Sequence, residues 1–465
     1  MRASVVVMAA ALGCQSGPGP AAPRPAPPAS ATAAAASPAA PAAPADPPPR
    51  TDGDVTEAWV HGMQILVKRI PGAEETATQL YIRGGVANWS KANAGIEQLA
   101  LAVAASGGTA RLDKDAFTQQ LSELGSALDA GSTEDFGVLD AWSLTPAWDA
   151  TFALVVDAFR HPALPASQIE LMRARQLSAL RHELDNPDAR LAMIAHLGMF
   201  KGHPYENRAI GTVETVSGFT ADQLAAHLAR LRETSRLLVV VVGDIEPGHV
   251  IDAASRALGD LPRGSYQARR LPALPAAPRG TVAVTEQKLP THYVMAMFPG
   301  PGWRDPDFIA ARVAMTTLGQ REFKEVRTKR NLSYAPGAWL DWNRELPTGT
   351  LYVTAVDPVA TMKVMLDEAR RLRDEPIPER ELAATKATML TAAFTQGEAP
   401  ADQASQLAHA QLNAGDWRLV RSLPDRVRAV TAAQIQAWAA KHMTHLQTFM
   451  IGDPSKIDRN LLETF

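Results

Sequence analysis

The chain contains the same short pattern twice, about two hundred residues apart, and this repeat limits the folds that it can adopt. Each copy starts with a helix capping box, Thr-Ala-Asp-Gln at 220–223 and Thr-Ala-Ala-Gln at 431–434. About twenty residues later each copy reaches an apolar strand that ends in Gly-Asp, at 243–244 and 452–453. So long a period indicates a duplicated domain, because solenoid repeats are roughly 20 to 50 residues long.

Strands and helices follow one another in a similar order in the two copies. Two short strands are predicted on either side of a turn at Gly62, and a third strand at 78–83. A long helix is predicted at 167–184. Strands at 281–285 and 293–298 open the second copy in the same way. We therefore expect an α+β fold of two homologous halves, each an antiparallel sheet with helices on one face, arranged as a clam-shell around a cleft.

Composition divides the chain into five parts. Residues 1–14 read as a lipoprotein-type signal, and the Pro/Ala-rich residues 15–53 as a disordered linker, because they offer too little apolar surface to fold. Residues 54–260 form the predicted first half and 281–465 the second, each long enough to bury a core. The Pro-, Gly- and Arg-containing residues 261–280 are expected to form an exposed linker between them.

The N-terminus is typical of an exported bacterial lipoprotein. An apolar run follows Arg2, and Ala11-Leu12-Gly13-Cys14 resembles a lipidation box in which the cysteine is acylated. We expect the chain to be lipid-anchored in the cell envelope, at the outer membrane facing the periplasm, which fits Gln15 in place of Asp after the cysteine. The alternative is an ordinary secretory signal with an incidental cysteine.

Charge and cysteine content exclude two classes of function. The net charge is −3, so no basic field invites nucleic acid. Cys14 is the only cysteine, which excludes an internal disulfide framework and a thiolate zinc cluster.

Several motifs occur in an order that is specific to one family. They are the Gly62 turn, an Ala- and Leu-rich helix from Gly95 to Thr109, Asp157 to Pro162, His203-Pro204-Tyr205 and Arg327 to Tyr334. With the paired Gly-Asp strand ends, they resemble the insulinase/pitrilysin superfamily of zinc metallopeptidases (peptidase M16). The short, mitochondrial-processing-peptidase-like branch is the most similar, and the resemblance extends from Asp54 to Asp453.

The resemblance places a catalytic zinc motif on the Gly95 helix, and this chain lacks it. Active members carry His-x-x-Glu-His there, since catalytic zinc takes three protein ligands and a water, and the Glu acts as general base. Gln98 and Ala102 occupy the two His positions, and Leu101 occupies the Glu position. The further Glu ligand would fall at Ser178 or Ala179. We therefore expect no catalytic residues, metal or other cofactor in this chain.

The remaining histidines form no alternative zinc motif. Neither His-x-x-Glu-His nor His-Glu-x-x-His occurs anywhere in the chain. His182 with Glu183, and His442 with His445, are interpreted as polar helix ends, and His203 as an architectural residue.

The second half keeps the substrate-contact motif that the resemblance implies. Active relatives hold substrate through an Arg and a Tyr seven residues apart, here Arg327 and Tyr334. We expect Arg327 at a helix end, a left-handed turn at Asn331 and a strand from Leu332 that carries Tyr334. The alternative is that Arg327 pairs with Glu325 and that Tyr334 packs in the core.

These observations predict a non-catalytic subunit of a metallopeptidase. It would pair with an active, zinc-bearing homologue and supply Arg327 and Tyr334 to a chamber that hydrolyses peptides. Two alternatives stay open: an envelope scaffold or peptide-binding protein without proteolysis, and an active zinc peptidase with a relocated metal site.

Overall fold

The structure is a computed structural model that describes residues 46–268, 270–274 and 277–465. Cys14, the predicted signal and most of the predicted Pro/Ala-rich linker lie outside the described residues. No helix in the described ranges is both long and apolar enough to cross a bilayer.

The first half builds a seven-stranded sheet. Its strands, labelled β1 to β7 in chain order, are Arg50–Asp52, Val55–Val60, Met63–Arg69, Glu75–Arg83, Ala127–Ser132, Phe136–Leu144 and Leu237–Gly243. They lie in the order β1-β2-β3-β7-β4-β6-β5. Neighbours are antiparallel except β3 and β7, which are parallel. Because β1 pairs with β2, the first strand lies among residues that we assigned to the linker.

The second half builds a five-stranded sheet of related design. Its strands, β8 to β12, are Thr281–Glu286, His292–Pro299, Gly337–Asp341, Thr348–Ala355 and Gln447–Gly452. They lie in the order β10-β11-β9-β12-β8, with β12 and β8 parallel. The repeated apolar strands, β7 and β12, therefore occupy interior positions, each between an antiparallel and a parallel neighbour.

Among the described residues, eight helices belong to the first half and seven to the second. Helices α1 to α8 are Ile96–Ser106, Lys114–Glu123, Trp148–Arg160, Ala166–Asp185, Pro187–Met199, Val213–Gly218, Ala221–Leu231 and Pro247–Leu258. Helices α9 to α15 are Phe308–Glu322, Pro358–Asp374, Glu379–Gln396, Pro400–Ala414, Leu419–Ala429, Ala432–His442 and Arg459–Glu463. The predicted capping boxes at Thr220 and Thr431 are present at the starts of α7 and α14.

Helix α12 of the second half covers the face of the first sheet that the first half leaves open. Along β7, Leu237 and Val239 face the core of their own half, whereas Leu238 and Val240 pack with Leu407 on α12. Every residue of β7 is buried. Both faces of β7 are covered, which explains why polar residues do not alternate with apolar ones along this strand.

Helix α5 of the first half covers the second sheet in return. Met295, Met297 and Phe449 of that sheet belong to the same apolar cluster as Ala195 and Met199 of α5. Gly198 allows the close approach, since a Cβ there would lie 2.2 Å from the Phe449 ring. The two halves thus exchange a helix, and neither sheet is fully covered by its own half.

Shortening an exchanged side chain tests this arrangement. Leu407 is 3% exposed, so Leu407→Ala is expected to lower the free energy of unfolding by about 2 to 5 kcal/mol through lost burial and a residual cavity. The matched control Leu184→Ala changes a Leu that is 48% exposed on α4, and should cost about 0.5 kcal/mol or less. Urea unfolding measures both, and an unchanged midpoint for Leu407→Ala would show that α12 does not stabilise the first sheet.

Candidate functional site

Helix α1 carries the positions where the family resemblance places a zinc motif. Gly95 caps its start with a φ of +91°, and a Cβ there would come within 2.9 Å of the Cα of Gly211. Gln176 on α4 donates to the carbonyl oxygens of Gly95 at 3.1 Å and Ile210 at 2.8 Å. These contacts hold the start of α1 against α4 and the 208–212 turn.

The side chains at the three motif positions make structural contacts within the first half. Gln98 Oε1 accepts a hydrogen bond from the backbone N–H of Ser132 at 2.8 Å. Leu101 is fully buried against Gly137 of β6. A Cβ on Gly137 would lie 2.7 Å from Cδ1 of Leu101. Ala102 is partly buried beside the same core.

At the motif positions, this chain lacks the side chains that a catalytic zinc requires as ligands. Ser178 and Ala179, the positions for the downstream ligand, are exposed on α4 and offer no carboxylate. With Gln, Leu and Ala on α1, the positions provide neither two imidazoles nor a general base. In the part of the chain that the structure describes, no three His, Cys, Asp or Glu side chains are grouped so that they would hold a metal ion.

The ionisable pair that α1 does carry is buried and was not predicted. His227 on α7 and Glu97 on α1 have side chains that are each 1% exposed, with Nε2 3.1 Å from Oε2. Arg230 donates to Nδ1 at 3.0 Å, so Nδ1 is an acceptor and Nε2 carries the proton that is donated to Glu97. Asn88 donates to the same Glu97 oxygen at 3.0 Å. This pair links α1 to α7. We therefore assign it a structural role and no metal.

An inter-half cleft of about 520 Å³ lies between α5 and the second sheet. Ser132, which bonds Gln98, lines it, so the zinc-motif position lies at its border. His196 on α5 also lines the cleft, and burial lowers its pKa to about 4. Its wall holds an ion pair between Glu183 and Arg208 beside apolar side chains such as Met295.

Arg327 and Tyr334 lie together on the second half, with the guanidinium of Arg327 over the ring of Tyr334. The Arg327 guanidinium carbon is 3.9 Å from the centre of the Tyr334 ring and 4.8 Å from that of Phe323. Tyr334 is 77% exposed, which contradicts the alternative in which it packs in the core. A guanidinium over an aromatic face is stabilised by roughly 0.5 to 2 kcal/mol.

Glu325 is engaged by two other cations, so the alternative pairing with Arg327 is also wrong. Lys329 and Arg330 each approach its carboxylate to 2.7 Å, and their hydrogen bonds lower the pKa of Glu325. Among the described residues no carboxylate lies within ion-pair distance of Arg327. Its guanidinium therefore presents unused donors beside two aromatic rings.

The local backbone differs from the predicted strand. Phe323–Thr328 forms a π-helical turn after α9, and Asn331 adopts the predicted left-handed conformation with φ +52°. Strand β10 begins only at Gly337, so the prediction that a strand from Leu332 carries Tyr334 is wrong. Pro336 lacks the N–H that a continuing ladder would need.

A second-half groove of about 1340 Å³ adjoins this pair. It lies among α9, β10, α11, α12 and α13, and Phe323 belongs to its wall. Phe394 on α11, 79% exposed, and Trp339 on β10, 42% exposed, also line it. The Arg327–Tyr334 pair therefore lies next to a large groove with apolar walls.

Glu322, the last residue of α9, is an unusual buried acid. It is 0% exposed, and neither carboxylate oxygen has a hydrogen-bond partner among the described residues. Burial first, and the charge of Glu368 second, raise its pKa well above the ordinary value of 4.5. Burial therefore favours the neutral form of this side chain, which lies just before the π-helical turn that carries Arg327.

Comparisons with known proteins agree on one family. Residues 218–389 match the family described as Peptidase M16 inactive domain. The chain is 22% identical over 389 residues to an uncharacterized zinc protease of Mycobacterium leprae, covering 81% of this chain and 86% of that protein. It is 25% identical over 218 residues to cytochrome b-c1 complex subunit 1 of Bos taurus, covering 46% of this chain and 44% of that protein.

Solved structures share the fold. A peptidase M16 inactive domain from Pseudomonas fluorescens has a TM-score of 0.78 and 20% identity, covering 86% of this chain and 98% of that one. A protease from Helicobacter pylori has a TM-score of 0.77 at 15% identity, covering 85% and 98%.

Removing one partner of the buried pair tests its structural role. His227→Ala removes one of the two hydrogen bonds that Glu97 Oε2 accepts, so the free energy of unfolding should fall by about 1.5 to 3 kcal/mol. The double variant Glu97→Leu/His227→Leu removes both the buried acid and its donor and should lose less. His249→Ala, which removes an exposed pair with Asp149, should cost about 0 to 1 kcal/mol. Equal losses in the single and double variants, measured by denaturant unfolding, would contradict this reading.

Glu322 makes stability depend on pH in a defined direction. Its pKa is higher in the folded than in the unfolded chain, so its stabilising effect is full below 4.5 and declines as pH rises toward the folded pKa. Glu322→Gln removes this loss, so its advantage in unfolding free energy over wild type should grow by about 1.4 kcal/mol per pH unit in that range. The exposed Glu375→Gln is the control, and a pH-independent advantage of Glu322→Gln would refute the assignment.

Proposed function

Because the chain belongs to the peptidase M16 family and carries that family's inactive-type domain, we propose that it is a non-catalytic subunit of a peptide-hydrolysing complex. It pairs with an active, zinc-bearing M16 homologue. The partner contributes the metal and the general base, and this chain contributes Arg327 and Tyr334 as contacts to the peptide.

The asymmetry between the halves is the observation that carries this proposal. On the first half, Gln98, Leu101 and Ala102 occupy the zinc-motif positions and offer no metal donor set. On the second half, Arg327 has unpaired guanidinium donors and Tyr334 an exposed phenol. A pure scaffold would need neither the zinc ligands nor the substrate-contact residues. Because this chain keeps Arg327 and Tyr334, a subunit that still contacts substrate fits it better.

The Arg327–Tyr334 pair suits recognition of a peptide backbone. A guanidinium donates forked hydrogen bonds to carbonyl or carboxylate oxygens, and a phenol donates to a developing oxyanion. Stacking on Tyr334 and Phe323 limits the motion of Arg327, which lowers the entropy that binding would cost. The neighbouring second-half groove provides room for apolar side chains of the same peptide.

A scaffold without proteolysis is the second candidate function. Its support is the similarity to cytochrome b-c1 complex subunit 1, a protein named as part of a multi-subunit complex. Co-purification distinguishes the two: an M16 homologue with an intact zinc motif supports the peptidase complex, and an unrelated envelope complex supports the scaffold.

Reconstitution with the partner tests the proposed function. Alone, the purified chain should show no stoichiometric zinc by elemental analysis and no peptidase activity, and the partner should restore cleavage. In the reconstituted complex, Arg327→Ala should lower kcat/KM about 10- to 100-fold, because it removes a charged hydrogen-bond donor to the peptide. Lys329→Ala, on the same exposed turn, is the matched control and should leave kcat/KM nearly unchanged. Equal rates for the Arg327→Ala and wild-type complexes would refute the substrate contact.

We further propose that Cys14 is lipidated and anchors the protein at the outer membrane, facing the periplasm. Cys14→Ser should move the protein from the membrane to the soluble fraction of cell extracts. Gln15→Ala keeps the acylated residue and should stay in the membrane fraction. Membrane association of Cys14→Ser after a high-salt wash would refute the anchor.

A further inference from the structure

A cavity of about 330 Å³ lies where both halves and the segment that connects them meet, and we call it the junction cavity. Arg83 and Ser235 of the first half, Tyr266 and Leu271 of the connecting segment, and Asn413 at the end of α12 line it. The connecting segment was predicted to be an exposed linker, but burial raises the pKa of Tyr266. Tyr266, Ala268 and Leu271 of this segment therefore form part of the cavity wall.

Arg83 places a positive charge in the wall of the junction cavity. Its guanidinium donates to the Leu237 carbonyl oxygen at 2.9 Å and to Gln64 Oε1 at 2.6 Å. Among the described residues no carboxylate lies within ion-pair distance, although Gln64 in turn donates to Glu57. Burial lowers the pKa of Arg83 to about 10, the effect of holding a cation away from water. The remaining N–H groups of Arg83 are suited to an anionic oxygen.

Two buried polar atoms in the cavity wall are unsatisfied. Ser235 Oγ and Asn413 Oδ1 have no hydrogen-bond partner among the described residues. Asn413 uses its amide nitrogen to bond the Asn343 carbonyl oxygen at 3.2 Å, so only its oxygen is spare. A buried polar atom without a partner costs free energy that a polar ligand would recover.

Acidic groups line the same cavity. Asp135 and Glu345 line it, and the Glu345 N–H donates to Asp135 Oδ2 at 3.2 Å. Burial raises the pKa of both acids, that of Asp135 to about 7, against hydrogen bonds from Tyr205 and Leu271 and the charges of nearby arginines. Local cations therefore do not fully compensate these carboxylates.

Tyr266 lines the cavity together with Arg83 and Glu345. The charge of Arg83 lowers the pKa of its phenol, and the charge of Glu345 raises it. The cavity wall thus carries charges of both signs, and a molecule with one charge would satisfy only one of them.

We propose that the junction cavity binds a small zwitterion, a free amino acid or a dipeptide, with its carboxylate toward Arg83 and its ammonium group toward Asp135 and Glu345. The spare Ser235 hydroxyl and Asn413 oxygen would complete the polar contacts. A volume of about 330 Å³ is at the lower end of small-molecule sites, which suits a ligand of this size. The site is distinct from Arg327 and Tyr334 and does not depend on the proposed function.

Isothermal titration of the purified full chain with the dipeptide Ala-Ala tests the proposal. We expect one saturable site. Acetylating the dipeptide amine or amidating its carboxylate should each weaken binding about tenfold or more, since each removes a charged contact. Equal binding of the blocked and free dipeptides, or no binding by the folded chain at about 10 mM dipeptide, would overturn the proposal.

Variants of the wall locate the site. Ala268 lines the cavity on the connecting segment and is itself exposed, so Ala268→Leu should fill the cavity and abolish binding without disturbing the core. Gln267→Leu adds the same side chain at the neighbouring exposed position and should bind normally. Ser235→Ala should weaken binding about 2- to 10-fold, the effect of one neutral hydrogen bond.

Arg327→Ala should bind Ala-Ala like wild type, which separates this site from the proposed substrate contact. Unchanged binding by Ala268→Leu, or loss of binding by Arg327→Ala, would overturn the assignment to the junction cavity.

Discussion

The exchange of helices α5 and α12 between the two halves is the interaction on which the rest of the structure depends. Each sheet has one face that its own half does not cover, and the exchanged helix buries apolar residues such as Leu238 and Phe449 there. Burial of this kind is the main favourable term in folding. The exchange also places the inter-half cleft beside α5 and the junction cavity at the end of α12.

The two halves share one design but differ in the polar side chains that they bury and expose. Helix α1 keeps its packing, and its buried Glu97 engages His227, so this helix serves stability. The turn after α9 instead places Arg327 over the exposed Tyr334, and the buried Glu322 lies just before this turn. Both carboxylate oxygens of Glu322, and Ser235 Oγ and Asn413 Oδ1 at the junction, have no hydrogen-bond partner among the described residues.

Local sequence signals predicted the elements well wherever the physical cause was local. The capping boxes at Thr220 and Thr431, the Gly95 helix and the left-handed turn at Asn331 depend on residues within a few positions. The strand predicted from Leu332 failed because periodicity over a few residues does not show where a partner strand ends. The pair of Glu97 and His227 was missed because its members lie 130 positions apart.

The sequence by itself determined the duplicated α+β design, the family resemblance and the absence of zinc ligands from positions 98 and 102, since these follow from residue identity and spacing. Only the tertiary structure decided that the halves exchange helices, that Arg327 stacks on Tyr334 and that a cavity of mixed polarity lies at the junction. The reason is that burial and charge compensation depend on neighbours brought from distant parts of the chain, which residue spacing does not specify.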